Sequence, residues 1–263
     1  MRNHKAKYTF GDGERAGRRL ALLARAYDPI TRGLLGTLGG ARCRVGVDLG
    51  CGPGHTTRLL QEVVRPERTL GLDVSRDFVE QARRSGALGV EFIEHDVTRE
   101  PWPAPRADLM LCRFLLTHLR DPEWSLSVWA RACRPGGKLL VHETASLEAE
   151  HPALRRYYEL VGTLQAHYGQ KLYIGAHLDD SILAAGWEIE WSTVVEIEQP
   201  ARVMAELHAM NLMTWRQDAF ALQAFDGMEL DELAEVLGRI GEGCEAAGPV
   251  RNGARQVVAR RRG

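Results

Sequence analysis

No two cysteines of this chain stand in a C-x-x-C pair; the five thiols fall at 43, 51, 112, 133 and 244. An odd, scattered set argues against a disulfide framework and suits a reduced, cytoplasmic setting. A surplus of either charge is lacking too. Formal net charge is −1, so no global field draws the chain toward nucleic acid or an anionic membrane. There is no basic, aromatic-rich strip and no Asn/Asp-Pro-Pro-Tyr/Phe sequence, which argues against a nucleic-acid substrate. The locally basic ends, from Arg2 to Arg19 and at Arg260-Arg261-Arg262, read as solvated unless one touches a ligand. No apolar run reaches membrane-spanning length, and the first residues hold no signal-peptide core. Internal repeats and low-complexity tracts are missing. What is there, 263 residues of which 44% are hydrophobic, is enough for one α/β domain with a full core.

The densest signal is residues 45–56, Val-Gly-Val-Asp-Leu-Gly-Cys-Gly-Pro-Gly-His-Thr. An apolar, β-branched run ends in clustered glycines, and Arg58, Leu59, Leu60, Val63 and Val64 continue with helical spacing. The order is strand, tight loop, helix N-terminus. Glycine permits positive φ and close approach of the backbone to a ligand, and a helix start offers free N–H groups to an anion such as a carboxylate. His55 stands where a dinucleotide fingerprint needs its third glycine, and the Gly-Lys-Ser/Thr of a P-loop is absent.

Around this loop the pattern alternates. Strands are expected over 45–49, 69–74, 90–94, 108–112, 138–143, 187–198 and 256–260, with helices over 55–64, 76–85, 122–133, 151–168, 178–185, 201–222 and 229–246. A front helix over 14–27 breaks at Asp28-Pro29 and restarts over 30–38. Repeated strand–helix units predict an α/β fold, a doubly wound, mostly parallel seven-stranded Rossmann-like sheet. Ligands of such sheets sit at the carboxyl ends of the strands. Residues 1–263 read as one domain, with an N-terminal helical lid over 1–40 and helical cap insertions over 146–177 and 200–248. Residues 1–20 and 146–177 are expected to close over bound ligands.

Three strand ends carry acids. Asp73 lies 19 residues beyond Gly54, the spacing at which a carboxylate can hold both hydroxyls of a ribose. Asp96 could accept from an adenine amino group, with Val97 packing the ring. Glu143 ends the fifth strand, where a carboxylate more often faces a site than solvent. His118 follows the fourth strand, and a neutral imidazole there could take a proton from an acceptor.

The Gly loop D-x-G-x-G-x-G, Asp73, Asp96, the 108–118 segment and Arg134-Pro135-Gly136-Gly137 occur in order. Together they resemble the class I S-adenosylmethionine (SAM)-dependent methyltransferases over about residues 45–145. The resemblance implies SAM as cofactor and S-adenosylhomocysteine as product. Gly50, Cys51, Gly52 and Gly54 would surround the methionine part, Asp73 the ribose, Asp96 and Val97 the adenine, and Arg113 and Phe114 the sulfonium end, with Asp48 and Val74 also among the cofactor-binding candidates. The front segment, Tyr8-Thr9-Phe10-Gly11-Asp12 with Arg19-Leu20, is similar to a small-molecule (natural-product/quinone-type) subgroup. There Tyr8 and Arg19 would fold over the cofactor, Arg19 pairing the methionyl carboxylate. The bland alternative for Arg19 is a solvated helical face.

The implied reaction is transfer of a methyl group by in-line displacement to N, O or activated C of a small molecule. His118 and Glu143 are the candidate catalytic groups. Tyr157, Tyr158, His167, Tyr173, His177, His208 and Trp215 are candidates for the acceptor pocket, although for each residue alone plain core packing is the commoner reason for such a pattern. His208, Asn211 and Trp215 lie on one helical stripe that could close the same pocket, but they lack the acidic or Cys partner a metal site needs, and a catalytic role for Cys51 is not expected. The partner implied is a small-molecule acceptor, with neither nucleic acid nor membrane, and assembly as a homodimer is left open. The rival reading is a non-catalytic SAM- or nucleoside-binding regulator on the same fold. An NAD-dependent oxidoreductase is disfavoured by the missing glycine.

Overall fold

The structure, a computed structural model, describes residues 11, 13–40, 42–86 and 88–263. Seven strands form one sheet in the order β3-β2-β1-β4-β5-β7-β6. They are β1 (Val45–Leu49), β2 (Arg68–Asp73), β3 (Val90–Glu94), β4 (Ala107–Arg113), β5 (Cys133–Ala149), β6 (Trp187–Gln199) and β7 (Val250–Arg261). The first five run parallel, while β7 is antiparallel to both β5 and β6. Every residue of β1 is buried, as expected of a strand covered on both faces. Successive side chains of β4 divide between those faces. Leu109 and Leu111 pack with Leu34 and Leu35 of α1 (Glu14–Gly36) and with Leu59 and Leu60 of α2 (His55–Val64). Met110 and Cys112 pack with Leu126 and Trp129 of α4 (Pro122–Ala132) and with Ile182 of α6 (Leu178–Ala184). The remaining sheet helix is α3 (Arg76–Arg84), whose Ser75 cap accepts from the Phe78 N–H.

A separate core lies beyond the sheet. It joins α5 (Pro152–His167), α7 (Ala201–Trp215) and α9 (Gly227–Glu242) through Tyr157, Val161, Leu164, Leu212, Trp215, Leu233 and Leu237. The short helix α8 (Ala221–Ala224) adds Ala221. Among the described residues no helix is long and apolar enough to cross a membrane.

Four expectations of the sequence are corrected. First, α1 runs unbroken through Pro29. Pro29 is exposed, so its ring meets solvent, and the Thr31 hydroxyl donates to the Tyr27 carbonyl at 3.1 Å, bracing the turn that a proline weakens. Second, Arg134–Gly137 is a bulge inside β5 rather than a turn before it; the register with β4 shifts between Ala107 and Leu109, and Gly136 has φ +75°. Third, β5 continues to Ala149 and pairs with β7 as far as Val250, so residues 146–149 are strand rather than the start of a helical insertion. Fourth, the expected helix over 201–222 stops at Trp215.

Candidate active site

Strand order reverses between β1 and β4, and the crevice for a ligand in such a sheet opens at the carboxyl ends on either side of that reversal. The glycine loop rises from the end of β1. Gly50, Gly52 and Gly54 have φ of 65°, 52° and 82°, a region closed to most side chains. A Cβ on Gly50 would lie 2.7 Å from Leu115, and one on Gly54 would lie 2.7 Å from the Phe92 ring, so the loop is pressed against its neighbours as well as sharply turned.

Acidic side chains hold this loop. Asp48 accepts from the Thr56 and Thr57 hydroxyls at 2.5 and 2.7 Å, tying the first turn of α2 to β1. It is buried, and burial pushes its carboxyl up to about 6 against the pull of those hydroxyls. Asp48 therefore braces the loop from beneath, correcting its expected place among cofactor contacts. Asp73 accepts from the Gly52 N–H and the Ser75 N–H, each at 2.8 Å. It links the loops after β1 and β2, and a carboxylate has acceptor capacity beyond two bonds. Cys51 is buried and its thiol is pushed well above the ordinary range by burial and then by Asp48 and Asp73, a setting that suppresses thiolate chemistry.

At the next strand end Asp96 accepts from the Thr98 N–H at 3.0 Å and its hydroxyl at 2.6 Å, and pairs with Arg99 at 2.9 Å. Val74 is 52% exposed, whereas Val97 is sealed in the core and its carbonyl accepts from the Trp129 indole N–H at 2.9 Å. Val97 thus offers no face to an adenine, because the α4 core claims it. Arg113 turns under α1, bonding Asp28 at 2.7 Å and Thr31 at 3.1 Å. Phe114 has φ +52° and packs against Tyr27 and His142, both at 5.0 Å between ring centroids. Both side chains help dock α1 onto the sheet, and the Arg113 charge also acts on Asp48 and His55 at the glycine loop. A non-glycine residue in the left-handed region stores roughly 1–3 kcal/mol, and here it redirects the chain into the 116–118 turn.

That turn is fastened by Glu143. Its Oε1 accepts from the Leu115 and Leu116 N–H groups, both at 2.7 Å. Glu143 is fully buried, and burial lifts its carboxyl to about 7. Sealed from solvent, with Oε1 on two backbone N–H groups and Oε2 buried without a hydrogen-bond partner, Glu143 positions this turn, which corrects the expected catalytic role. His118 sits on the turn, its carbonyl accepting from Gln170 at 3.2 Å. Burial, with the charge of Arg19, lowers its imidazole to about 3, so it is neutral and a feeble base. Arg19 is buried on α1. Tyr8 lies outside the described residues.

The expected acceptor residues divide. Tyr157 stacks on His208 at 4.2 Å and lies 6.2 Å from Trp215, and the Tyr158 hydroxyl lies 3.0 Å from His208 Nε2. These four form one buried group. Tyr173 borders an open groove of about 790 Å³ that Tyr158 also lines. His167 stacks on Phe220 at 3.9 Å and His177 borders a cleft with Arg120 and Lys171; both histidines are exposed and stand apart from the buried group. Sequence reasoning missed Gln165. It is fully buried with neither amide atom hydrogen-bonded. The available signal was its place on the apolar stripe Tyr157, Val161, Gln165 of α5.

A glycine loop at a switch point, followed by carboxylates on the next two strand ends, defines a binder of adenosine-type ligands. A methyltransferase-domain family model matches residues 47–137. An uncharacterised 37.1 kDa protein of transposon TN4556 from Streptomyces fradiae is 32% identical over 66% of this chain and 50% of that protein; the chain thus spans half the length of that relative. A trans-aconitate 2-methyltransferase of Escherichia coli is 30% identical over 65% of this chain and 68% of its own length. A solved structure from Bacillus halodurans C-125 superposes with a TM-score of 0.60 at 16% identity, covering 88% of this chain and 99% of that one, which bears on the fold. The chain belongs to the class I SAM-dependent methyltransferases, with SAM as the methyl donor.

Proposed function

We propose that this protein transfers the methyl group of SAM to a small-molecule acceptor held between the sheet ends and the α5–α7 cap. The observation that carries the reading is the glycine loop clamped by Asp48 and Asp73 at the β1/β4 reversal, with a buried aromatic group in the cap beyond it. Gly50, Gly52, Gly54 and Asp73 would hold SAM, with Asp73 keeping acceptor capacity for ribose hydroxyls. When bound, SAM supplies an electrophilic methyl group on a good leaving group. The chain must line up the acceptor lone pair and keep water out. Alignment of that kind contributes up to about 7–11 kcal/mol, whereas a general base contributes about 10²–10⁴-fold. Neither candidate base is poised: His118 is lowered to about 3 and Glu143 is engaged by two backbone N–H groups. The reading is therefore catalysis by positioning, on an acceptor atom that is nucleophilic without help. Trans-aconitate, the substrate in the relatives' name, is the first acceptor to try. The test pairs calorimetric titration of S-adenosylhomocysteine with transfer of a labelled methyl group to a panel of small molecules. Binding with no labelled product from any acceptor supports the regulator reading; no binding at all sinks both.

A further inference from the structure

The turn at the end of β4 touches both halves of the molecule. On the cofactor side Leu115 lies against the glycine loop: a Cβ on Gly50 would stand 2.7, 3.1 and 3.2 Å from its Cδ1, Cδ2 and Cγ. On the cap side the Thr117 hydroxyl donates to the Lys171 carbonyl at 2.7 Å, and the Gln170 side chain donates to the His118 carbonyl at 3.2 Å. Thr117 and Gln170 are both buried, so these bonds form away from water, where a hydrogen bond is electrostatically stronger.

The loop that follows α5, which carries Gln170 and Lys171, is itself fixed. Gly175 is pressed onto β5: a Cβ there would lie 2.8 Å from the Thr144 carbonyl oxygen and 2.9 Å from the Arg255 Cβ. The Arg255 guanidinium donates to the Gly175 carbonyl at 3.0 Å and to the Ser192 hydroxyl at 3.1 Å, which ties the loop to β7 and β6. Thr144 directly follows Glu143, whose Oε1 holds the Leu115 and Leu116 N–H groups. The contacts close a ring. Glu143 joins β5 to the turn, Thr117 and Gln170 join the turn to residues 170 and 171, and Gly175 returns to β5. A packed interior compresses little and passes a displacement on.

We propose that Thr117 is a positioning residue for methyl transfer: its hydroxyl anchors the β4 turn to the loop after α5, and so sets the packing of Leu115 on Gly50 and the affinity of the glycine loop for its cofactor. This rests on the reading that the glycine loop holds SAM. Thr117 acts through Leu115, two residues before it, while its own bond goes to the cap. The Leu115 and Leu116 N–H groups keep their Glu143 acceptor whatever stands at 117. Losing the hydroxyl therefore loosens the turn on one side only, and its effect at the glycine loop is partial. Coupling of this kind runs through contiguous contacts and is measured at the far end.

The experiment uses the full chain. Thr117→Val removes the hydroxyl and keeps the outline of the side chain, whereas Thr117→Ser keeps the hydroxyl. The first readout, without ligand, is hydrogen exchange at the Gly52 and Gly54 amides, which donate to Asp73 and to the Cys51 carbonyl. Thr117→Val should speed their exchange by about threefold or more relative to the Leu70 and Leu72 amides of β2, and Thr117→Ser should stay within about twofold of the parent. The second is calorimetric titration of S-adenosylhomocysteine, which should bind about three- to tenfold more weakly to Thr117→Val and within about twofold of the parent to Thr117→Ser. Should Thr117→Val not fold, Gln170→Met cuts the neighbouring bond and should act in the same direction. A lower melting temperature with exchange and affinity unchanged overturns the proposal and leaves Thr117 an ordinary structural hydroxyl. Equal impairment in Thr117→Ser and Thr117→Val overturns it too, since the hydroxyl would then not be the cause. If S-adenosylhomocysteine does not bind the parent, the cofactor reading of the glycine loop falls, and the exchange comparison still decides whether Thr117 holds that loop.

Discussion

The sheet half and the cap half of this molecule hold their buried polar side chains with different partners. At the sheet ends the acids are tied to protein: Asp48 to two threonines, Asp73 to two backbone N–H groups, Asp96 to Thr98, and Glu143 to Leu115 and Leu116. In the cap the buried polar side chains meet aromatic rings instead: the Tyr158 hydroxyl lies 3.0 Å from His208 Nε2, and Tyr157 stacks on His208 at 4.2 Å. The first arrangement is rigid before any ligand arrives, as a site for one shared cofactor should be.

The largest effect tests the tied half. Asp73→Ala removes acceptors from the Gly52 and Ser75 N–H groups and, on the proposed reading, from the ribose. Hydrogen bonds to charged groups contribute about 1.5–3 kcal/mol, so S-adenosylhomocysteine affinity measured by calorimetry should fall by about ten- to a hundredfold, together with a lower melting temperature. A Kd within about twofold of the parent would mean that the loop does not need its clamp.

The next concerns Glu143 and pH. Its carboxyl is raised from 4.5 to about 7, so between those values the native state holds a proton that the unfolded chain has released. The stability linked to this group is complete below about 4.5 and is lost as pH rises through about 7. Glu143→Gln keeps an acceptor for Leu115 and Leu116 and has no charge to bury. Its stability relative to the parent should improve by on the order of 1–3 kcal/mol from about pH 5 to about pH 8 in denaturant titrations, with methyl transfer retained. Loss of activity with folding intact would return Glu143 to the chemistry. The buried histidines run the other way. His118, His142 and His208 are each lowered from 6.5 to about 3, so their contribution is full above about 6.5 and drains away as the pH falls toward 3.

The smallest effect lies in the cap, where one polar pair is satisfied. Tyr158→Phe deletes the hydroxyl 3.0 Å from His208 Nε2 and should cost about 0.5–1.5 kcal/mol, read as a modest fall in melting temperature. A much larger fall would show that the buried groups of the cap depend on each other.

Local chemistry made much of the cofactor half legible. A β-branched run, then glycines, then helical spacing can fold in few ways, and the structure has a strand, three positive φ values and α2 at that place. The strand pattern was likewise enough for the seven-stranded, mostly parallel sheet. The extent of β5 and β7 was not legible, because Thr144–Ala149 and Asn252–Ala254 carry little strand preference of their own and extend only by pairing with each other. The turn of Arg113 toward Asp28, or of Glu143 toward the Leu115 N–H, was equally hidden, since each partner lies far off in sequence.

Sequence alone, then, determined the family and the methyl donor, because those depend on residues that act where they stand in the chain. Only the tertiary structure decided that Asp48 and Glu143 brace the loops from within the core, and that Tyr157, Tyr158, His208 and Trp215 form one buried group. Burial and pairing belong to a residue's surroundings, and those surroundings are assembled from helices 50 or more residues apart.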